Sequence, residues 1–202
     1  LSMPKKTSQE NLEKVEVKSH QELRKWFEKN HAQEKSIWLV TYKKVAPDKY
    51  LANTDVVDEC VCFGWMDGRK MKLDDSRTMQ LLSPKKTKHW AKSYKERYER
   101  LKEAGRMHDA GERLVAEAKE SGDWDFMNDV DALIVPKDLA EAFEGNPLAR
   151  ENYEDFPDSA KRDILRWIKL AKRKETREKR IAETIQKATV NQRASGTGNK
   201  KS

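Results

Sequence analysis

The sequence predicts an α+β fold: a small antiparallel β-sheet covered by helices, with a mainly helical C-terminal half. Three observations carry that prediction. Short candidate strands occur at 36–43, rich in β-branched and aromatic residues, at 65–73, which alternates apolar and polar residues, and at 77–83, and Asp74-Asp75-Ser76 supplies turn chemistry between the last two. Around them, apolar residues recur at helical spacings of three and four. The 202 residues suit one domain with tails, and 36% apolar against 38% charged residues leaves part of the chain outside a core.

In chain order, residues 1–18 are polar and read as a disordered lead. Ser19 and Glu22 fit a capping box, and Leu23, Trp26 and Phe27 form one apolar helix face that should end near Asn30-His31. Residues 36–43 read as a buried strand, followed by a loop through Pro47-Asp48. Thr54 is the expected cap of a helix carrying Val57, Cys60 and Val61, which Gly64 ends because glycine tolerates positive φ. Trp65 to Leu73 alternates apolar and polar residues, with Asp67-Gly68 disturbing the register. Pro84 to Lys88 is a basic loop. Trp90, Tyr94, Tyr98 and Leu101 then define a helix ending at Gly105, and His108-Asp109 starts the next. Residues 123–135 read as an extended crossing segment. Pro136 is expected in the first helical position, as is Pro147 after Asn146. Asp158-Ser159 should cap a long helix through Ile164, Ile168 and Ala171, continuing as helix around Ile181 and Ile185. The expected organisation is a core over 19–125, a helical region of the same domain over 126–190, and a disordered tail over 191–202.

Charge is distributed unevenly. The net charge is +7, yet residues 161–202 hold 14 basic and 4 acidic residues, while residues 1–160 are net negative. Residues 85–106 carry 9 basic against 3 acidic residues, and residues 123–159 carry 2 against 11. Such patches allow nucleic-acid or anionic-surface contact; the plainer reading is a solvated amphipathic helix with the acidic 123–159 stretch as its intramolecular partner. The apolar stripe of the C-terminal helix breaks at Lys174 to Lys179, which weakens a membrane-surface reading.

Several chemistries fail on spacing. Cys60-Val61-Cys62 lacks a second ligand pair for zinc, and two buried small hydrophobes explain it better. The chain has no G-x-S-x-G elbow, no phosphate-binding glycine loop and no apolar run long enough for a membrane span. The N-terminus shows no apolar signal region, and two Cys suit a reducing compartment, so the expectation is a cytoplasmic protein without metal or cofactor.

Cys62-Phe63-Gly64-Trp65-Met66-Asp67-Gly68-Arg69 resembles the signature of the YdeI/OmpD-associated, or bacteriocin-protection, family. The resemblance extends, over roughly 19–190, to Trp38-Leu39-Val40, Tyr42-Lys43-Lys44, Pro84-Lys85-Lys86 leading to Trp90, Gly105-Arg106-Met107 with Gly111, Gly122-Asp123-Trp124, and Ala171 to Arg177 with Arg180-Ile181. It implies a role in envelope stress or protection against bacteriocins and cationic peptides. The chain departs from the family pattern at His89, Ala91 and Tyr94, where it cannot make the contacts of the family's Ser and Asn, and Lys85 lacks the planar fork of arginine.

The expected function is therefore non-enzymatic binding of a small anionic ligand or a protein partner. The candidate residues are Trp65, Asp67, Arg69, Arg77, Lys85, Trp90 and Arg106: basic groups beside Trp faces, with adjacent strands bringing Asp67, Arg69 and Arg77 together. The alternatives are a nucleic-acid binder using 85–106 and the C-terminal helix, and an enzyme on a small anionic substrate with Glu59 or Asp67 as the buried titratable group.

Overall fold

In the computed structural model, which describes residues 11–86 and 89–194, the chain divides into two units, Leu1–Trp124 and Asp125–Ser202. The outer parts of the expected lead and tail, residues 1–10 and 195–202, and Thr87 and Lys88 of the basic loop lie outside the described residues.

The first unit is built on a four-stranded sheet of order β1-β2-β4-β3, formed by β1 (Lys14–Glu16), β2 (Ile37–Tyr42), β3 (Trp65–Lys72) and β4 (Arg77–Pro84). The three predicted strands are present and antiparallel. The correction is β1, which pairs parallel to β2 and makes the sheet mixed; it lies inside the stretch read as a disordered lead. Its three residues are too short to show a period, and only pairing with β2, together with burial of Val15 and Val17, makes them a strand. Asp74 closes the β3–β4 turn by accepting from the backbone N–H of Ser76 at 3.0 Å and of Arg77 at 2.7 Å. The expected irregularity appears as a register shift between Asp67 and Lys70.

Among the described residues, four α-helices complete this unit: α1 (His20–Asn30), α2 (Asn53–Phe63), α3 (Lys92–Glu103) and α4 (Asp109–Ser121). Ser19 caps α1 by accepting from Glu22 N–H at 3.2 Å, and Glu22 reaches back to the N–H of Lys18 at 2.8 Å. Ala52, not Thr54, occupies the cap position of α2, and no side chain caps it there. Gly64 ends α2 with φ +75°. His108 caps α4 through Nδ1. Gly111 follows because α4 crosses the end of α2 closely: a Cβ there would lie 2.3 Å from the Cys62 carbonyl oxygen. The core joins Leu23 and Phe27 of α1, Ile37 and Leu39 of β2, Val56 and Phe63 of α2, and Leu101 of α3, with Phe27 and Phe63 stacked at 5.2 Å.

The second unit is helical: α5 (Asn128–Asp131), α6 (Lys137–Glu144), α7 (Pro147–Glu154), α8 (Asp158–Lys169) and α9 (Lys174–Thr189). The segment expected to be extended instead turns and forms α5, because Met127 and Val130 are both buried in this unit's core. Pro136 and Pro157 take cap positions, one place earlier than expected for Pro136 and in place of the expected Asp158-Ser159 cap. The long C-terminal helix is two helices broken at 170–173. There Arg177 and Arg180 of α9 donate to the Ile168 and Trp167 carbonyls, satisfying the end of α8. The acidic stretch is the partner of the basic helices, as Arg177 grips Asp138 at 2.6 and 2.9 Å and Lys169 holds Asp129 at 2.5 Å. Among the described residues, no helix is long and apolar enough to cross a membrane.

Candidate functional site

The structure disperses most of the predicted residues. Trp65 is 1% exposed and belongs to the core, its Nε1 donating to the His31 carbonyl at 2.9 Å. Asp67 stands across from Leu82 and accepts from Gln80 at 3.3 Å. Arg69 lies over the Trp38 ring at 5.3 Å. Arg77 is opposite Tyr42, five positions along β4 from Leu82, or roughly 17 Å away at a strand's rise per residue. It pairs there with Asp74 at 2.7 Å and Glu16 at 2.8 Å, so the expected meeting of Asp67, Arg69 and Arg77 does not occur. The Asp74 carboxyl is held down to about 2, chiefly by the Arg77 hydrogen bond.

Lys85 and Trp90 do come together. The Lys85 ammonium sits 4.3 Å from the Trp90 ring centre and 5.7 Å from that of Tyr94, and Lys85 donates to the His89 carbonyl at 3.2 Å. Burial pulls the Lys85 pKa down to about 8, against the opposing field of Asp123. Both residues line an open cleft of about 280 Å³ with Lys86, Leu114, Glu117, Ala118, Ser121 and Asp123. Its two lysines face two carboxylates, so the cleft has no charge preference of its own.

Arg106, the last predicted residue, belongs to a different constellation that composition did not reveal. Asp58 and Glu59 are neighbours on α2, and their side chains are 6% and 0% exposed. Such carboxylates persist only when cations and donors replace the lost water. Glu59 Oε1 meets His20 Nε2 at 2.7 Å and accepts from Arg106 at 2.9 Å, while Oε2 accepts from Arg24 at 3.1 Å. Asp58 Oδ1 accepts from Arg97 and from Arg100, the latter at 2.7 Å, and Oδ2 lies 3.4 Å from Arg106. Arg106 thus bridges both acids. Burial pushes the Asp58 pKa up, but the Arg100 and Arg97 hydrogen bonds outweigh it and leave the value lowered. Burial opposes the Arg106 charge as well, and Glu59 more than offsets this.

The cluster's charges are layered. The carboxylates are interior, while Arg24, Arg97, Arg100 and Arg106 keep 32, 26, 55 and 31% of their side chains exposed, and His20 keeps 41%. Four guanidiniums exceed the two interior carboxylates, and Glu28 at 3.6 Å from Arg24 offsets one more at the rim. A cationic face of guanidinium edges around an imidazole suits a phosphate or carboxylate. Sequence reasoning singled out Glu59 and Arg106, took in Arg97 and Arg100 only as part of the basic 85–106 stretch, and missed His20, Arg24 and Asp58 as site residues. The available signal was two adjacent acids inside the otherwise apolar stretch from Val56 to Phe63.

The two thiols lie beside this cluster and are free and buried. Burial raises Cys60 well above its ordinary value and Cys62 to about 11, so both remain neutral thiols near neutral pH. Among the described residues, no group of three or more His, Cys, Asp or Glu is placed to hold a metal ion.

No curated protein and no solved structure matches the chain. Residues 15–114 match the model of a domain of unknown function, DUF8412, and the motifs between Trp38 and Gly111 fall in this stretch. Residues 132–190 match the model of the bacteriocin-protection, YdeI or OmpD-associated family, so the chain is similar to that family through its C-terminal helices.

Proposed function

We propose that this protein binds a small anionic ligand at the arginine face around Asp58 and Glu59, and serves a protective role of the kind the matched family's name describes. The observation that carries the reading is the excess of partly exposed guanidinium over buried carboxylate in one cluster. The interior acids hold the arginines apart and aimed, so an incoming oxyanion meets donors already ordered. Glu59 is fully buried and cannot touch a substrate, which favours its role as an anchor over that of a catalytic base. The basic 85–106 stretch supports a nucleic-acid reading poorly: Arg97, Arg100 and Arg106 each hold an interior carboxylate, Lys92 pairs with Glu96, and Lys102 lies 3.8 Å from Glu112. We place the protein in the cytoplasm, where its two free thiols would be kept reduced.

The test is titration calorimetry with inorganic phosphate, pyrophosphate and citrate on the wild type, Arg100→Gln and Lys86→Gln. Arg100 is the most exposed member, so its loss should weaken binding about tenfold without unfolding the chain. Lys86→Gln should bind as the wild type does. Absence of binding by all three anions, or binding indifferent to Arg100→Gln, overturns the reading.

A further inference from the structure

The arginine cluster is not uniform, and the partners of each guanidinium nitrogen show which part of it a ligand can use. Arg24 is engaged by the protein at every nitrogen. Its Nε lies 3.6 Å from Glu28, Nη1 donates to Glu59 at 3.1 Å and Nη2 donates to the Arg106 carbonyl at 3.2 Å. Its guanidinium carbon also sits 5.2 Å from the Phe63 ring centre. His20 gives its Nε2 proton to Glu59 at 2.7 Å, because a carboxylate only accepts. In the neutral ring Nδ1 is then a lone pair, which an oxyanion avoids. The Glu59 side of the cluster thus spends its donors inside the protein.

The Asp58 side does not. Arg97 and Arg100 stand three positions apart on α3, which makes them neighbours on the helix surface. Each spends one nitrogen on Asp58 Oδ1: Arg97 its Nη1, which also donates to the Thr54 carbonyl at 3.3 Å, and Arg100 its Nη2, at 2.7 Å. Among the described residues, no hydrogen bond engages Nε or Nη2 of Arg97, or Nε or Nη1 of Arg100. Neither open nitrogen of Arg97 is buried, and Arg100 is the most exposed of the four arginines. Arg106, with Nη1 and Nη2 turned to the two acids, keeps only Nε open. Nε and Nη2 of one guanidinium share an edge, the fork that takes two oxygens of an oxyanion side-on.

We propose, resting on the reading of this cluster as an anion site, that its ligand is a phosphate monoester held by the open nitrogens of Arg97 and Arg100, with Arg24 and His20 as positioning residues that do not touch it. Two guanidiniums share one carboxylate here, so positive charge is left over even before Arg106 is counted. A phosphate monoester answers with a charge of about −1.5 to −2 near neutral pH and three acceptor oxygens. A carboxylate or a phosphodiester brings a single charge and two free oxygens, which one guanidinium fork already satisfies.

Titration calorimetry on the full chain near neutral pH, with methyl phosphate, dimethyl phosphate and acetate as probes, tests the assignment. The wild type should bind methyl phosphate about tenfold more tightly than either other probe. Arg97→Lys and Arg100→Lys keep the charge and lose the fork, and each should weaken methyl phosphate about tenfold. Arg24→Lys should leave methyl phosphate within about twofold of the wild type. Urea unfolding checks that each variant is folded, and Arg100→Lys, at the most exposed position, carries the test where another variant is not. Absence of binding by every probe overturns this proposal together with the anion reading. Two results overturn the proposal alone. One is that anions bind in an Arg100-dependent way, yet methyl phosphate binds no more tightly than dimethyl phosphate. The other is that folded Arg24→Lys weakens methyl phosphate as much as Arg100→Lys does.

Discussion

Replacing Glu59 with glutamine tests whether the buried carboxylate is the keystone of the arginine cluster. Glu59 is fully buried and meets His20 at 2.7 Å, Arg106 at 2.9 Å and Arg24 at 3.1 Å. Glutamine keeps the shape and one acceptor oxygen, but presents an N–H₂ to groups that are themselves donors. About two charge-assisted hydrogen bonds disappear, each worth roughly 1.5–3 kcal/mol, and the relieved desolvation of the carboxylate returns part of that. The expected loss is about 3–5 kcal/mol, the range for breaking a buried ion pair from one side. With a urea slope of about 1–3 kcal/mol per molar, the midpoint should fall by roughly 2 M. Tryptophan fluorescence is a suitable probe, since five of the six Trp lie within residues 1–124. Glu28→Gln is the control. Its 3.6 Å pair with Arg24 is half exposed, so its loss should cost no more than about 0.5 kcal/mol. Glu59→Gln should also recover stability in phosphate, because an anion that binds only the folded state stabilises it by mass action. A loss below about 1 kcal/mol, with no response to phosphate, would refute the assignment of Glu59 as anchor.

Three other outcomes are expected. Gly111→Ala should destabilise by about 1–3 kcal/mol or more in thermal or urea unfolding, because the new Cβ meets the Cys62 carbonyl at 2.3 Å and neither helix backbone can yield cheaply. Lys85, whose ordinary value of 10.5 falls to about 8 in the fold, should make stability rise as pH climbs through that window, where the unfolded chain holds a proton the folded one has released. Below pH 8 this contribution is flat, and the difference from Lys85→Met in paired urea titrations isolates it. Native protein near neutral pH should resist iodoacetamide at Cys60 and Cys62, since burial keeps both as thiols, whereas urea should expose two alkylation sites to mass spectrometry; rapid native labelling would contradict their burial.

Where a feature is local, the sequence makes it legible. The Ser19 cap, the Gly64 stop, the Asp74 turn and the Asp67-Gly68 irregularity each depend on residues within about one turn of each other, and all appear at the expected places. Features that depend on distant partners are hidden. β1 exists because β2 pairs with it, and three residues carry no period to read. The break between α8 and α9 has neither Gly nor Pro to announce it; Arg177 and Arg180 satisfy the exposed carbonyls from the far side of the bend. The arginine cluster gathers residues from α1, α2, α3 and the link to α4, and Arg106 lies 86 positions from its His20 contact. Grouping Asp67, Arg69 and Arg77 failed for a geometric reason: neighbouring strands bring together residues at matching register, and Arg77 sits at the wrong end of the ladder.

A run of basic residues in a sequence and a basic surface in a fold are different quantities, and this chain separates them. Arg97, Arg100 and Arg106 are three of the nine basic residues of the 85–106 stretch, and each has at least one edge fixed on Asp58 or Glu59. That arrangement spends attraction internally and weakens the long-range field that would draw a polyanion. In return it restricts side chains that otherwise carry about 2 kcal/mol of rotamer entropy, so that less ordering remains when a small oxyanion arrives. Lysines could not serve in the same way, because a point charge on a flexible stem cannot grip a buried carboxylate with one edge and offer a second edge outward. The choice of arginine at all four positions, and the burial of both acids beneath them, are therefore better suited to a short-range site for a compact anion than to a generally basic surface.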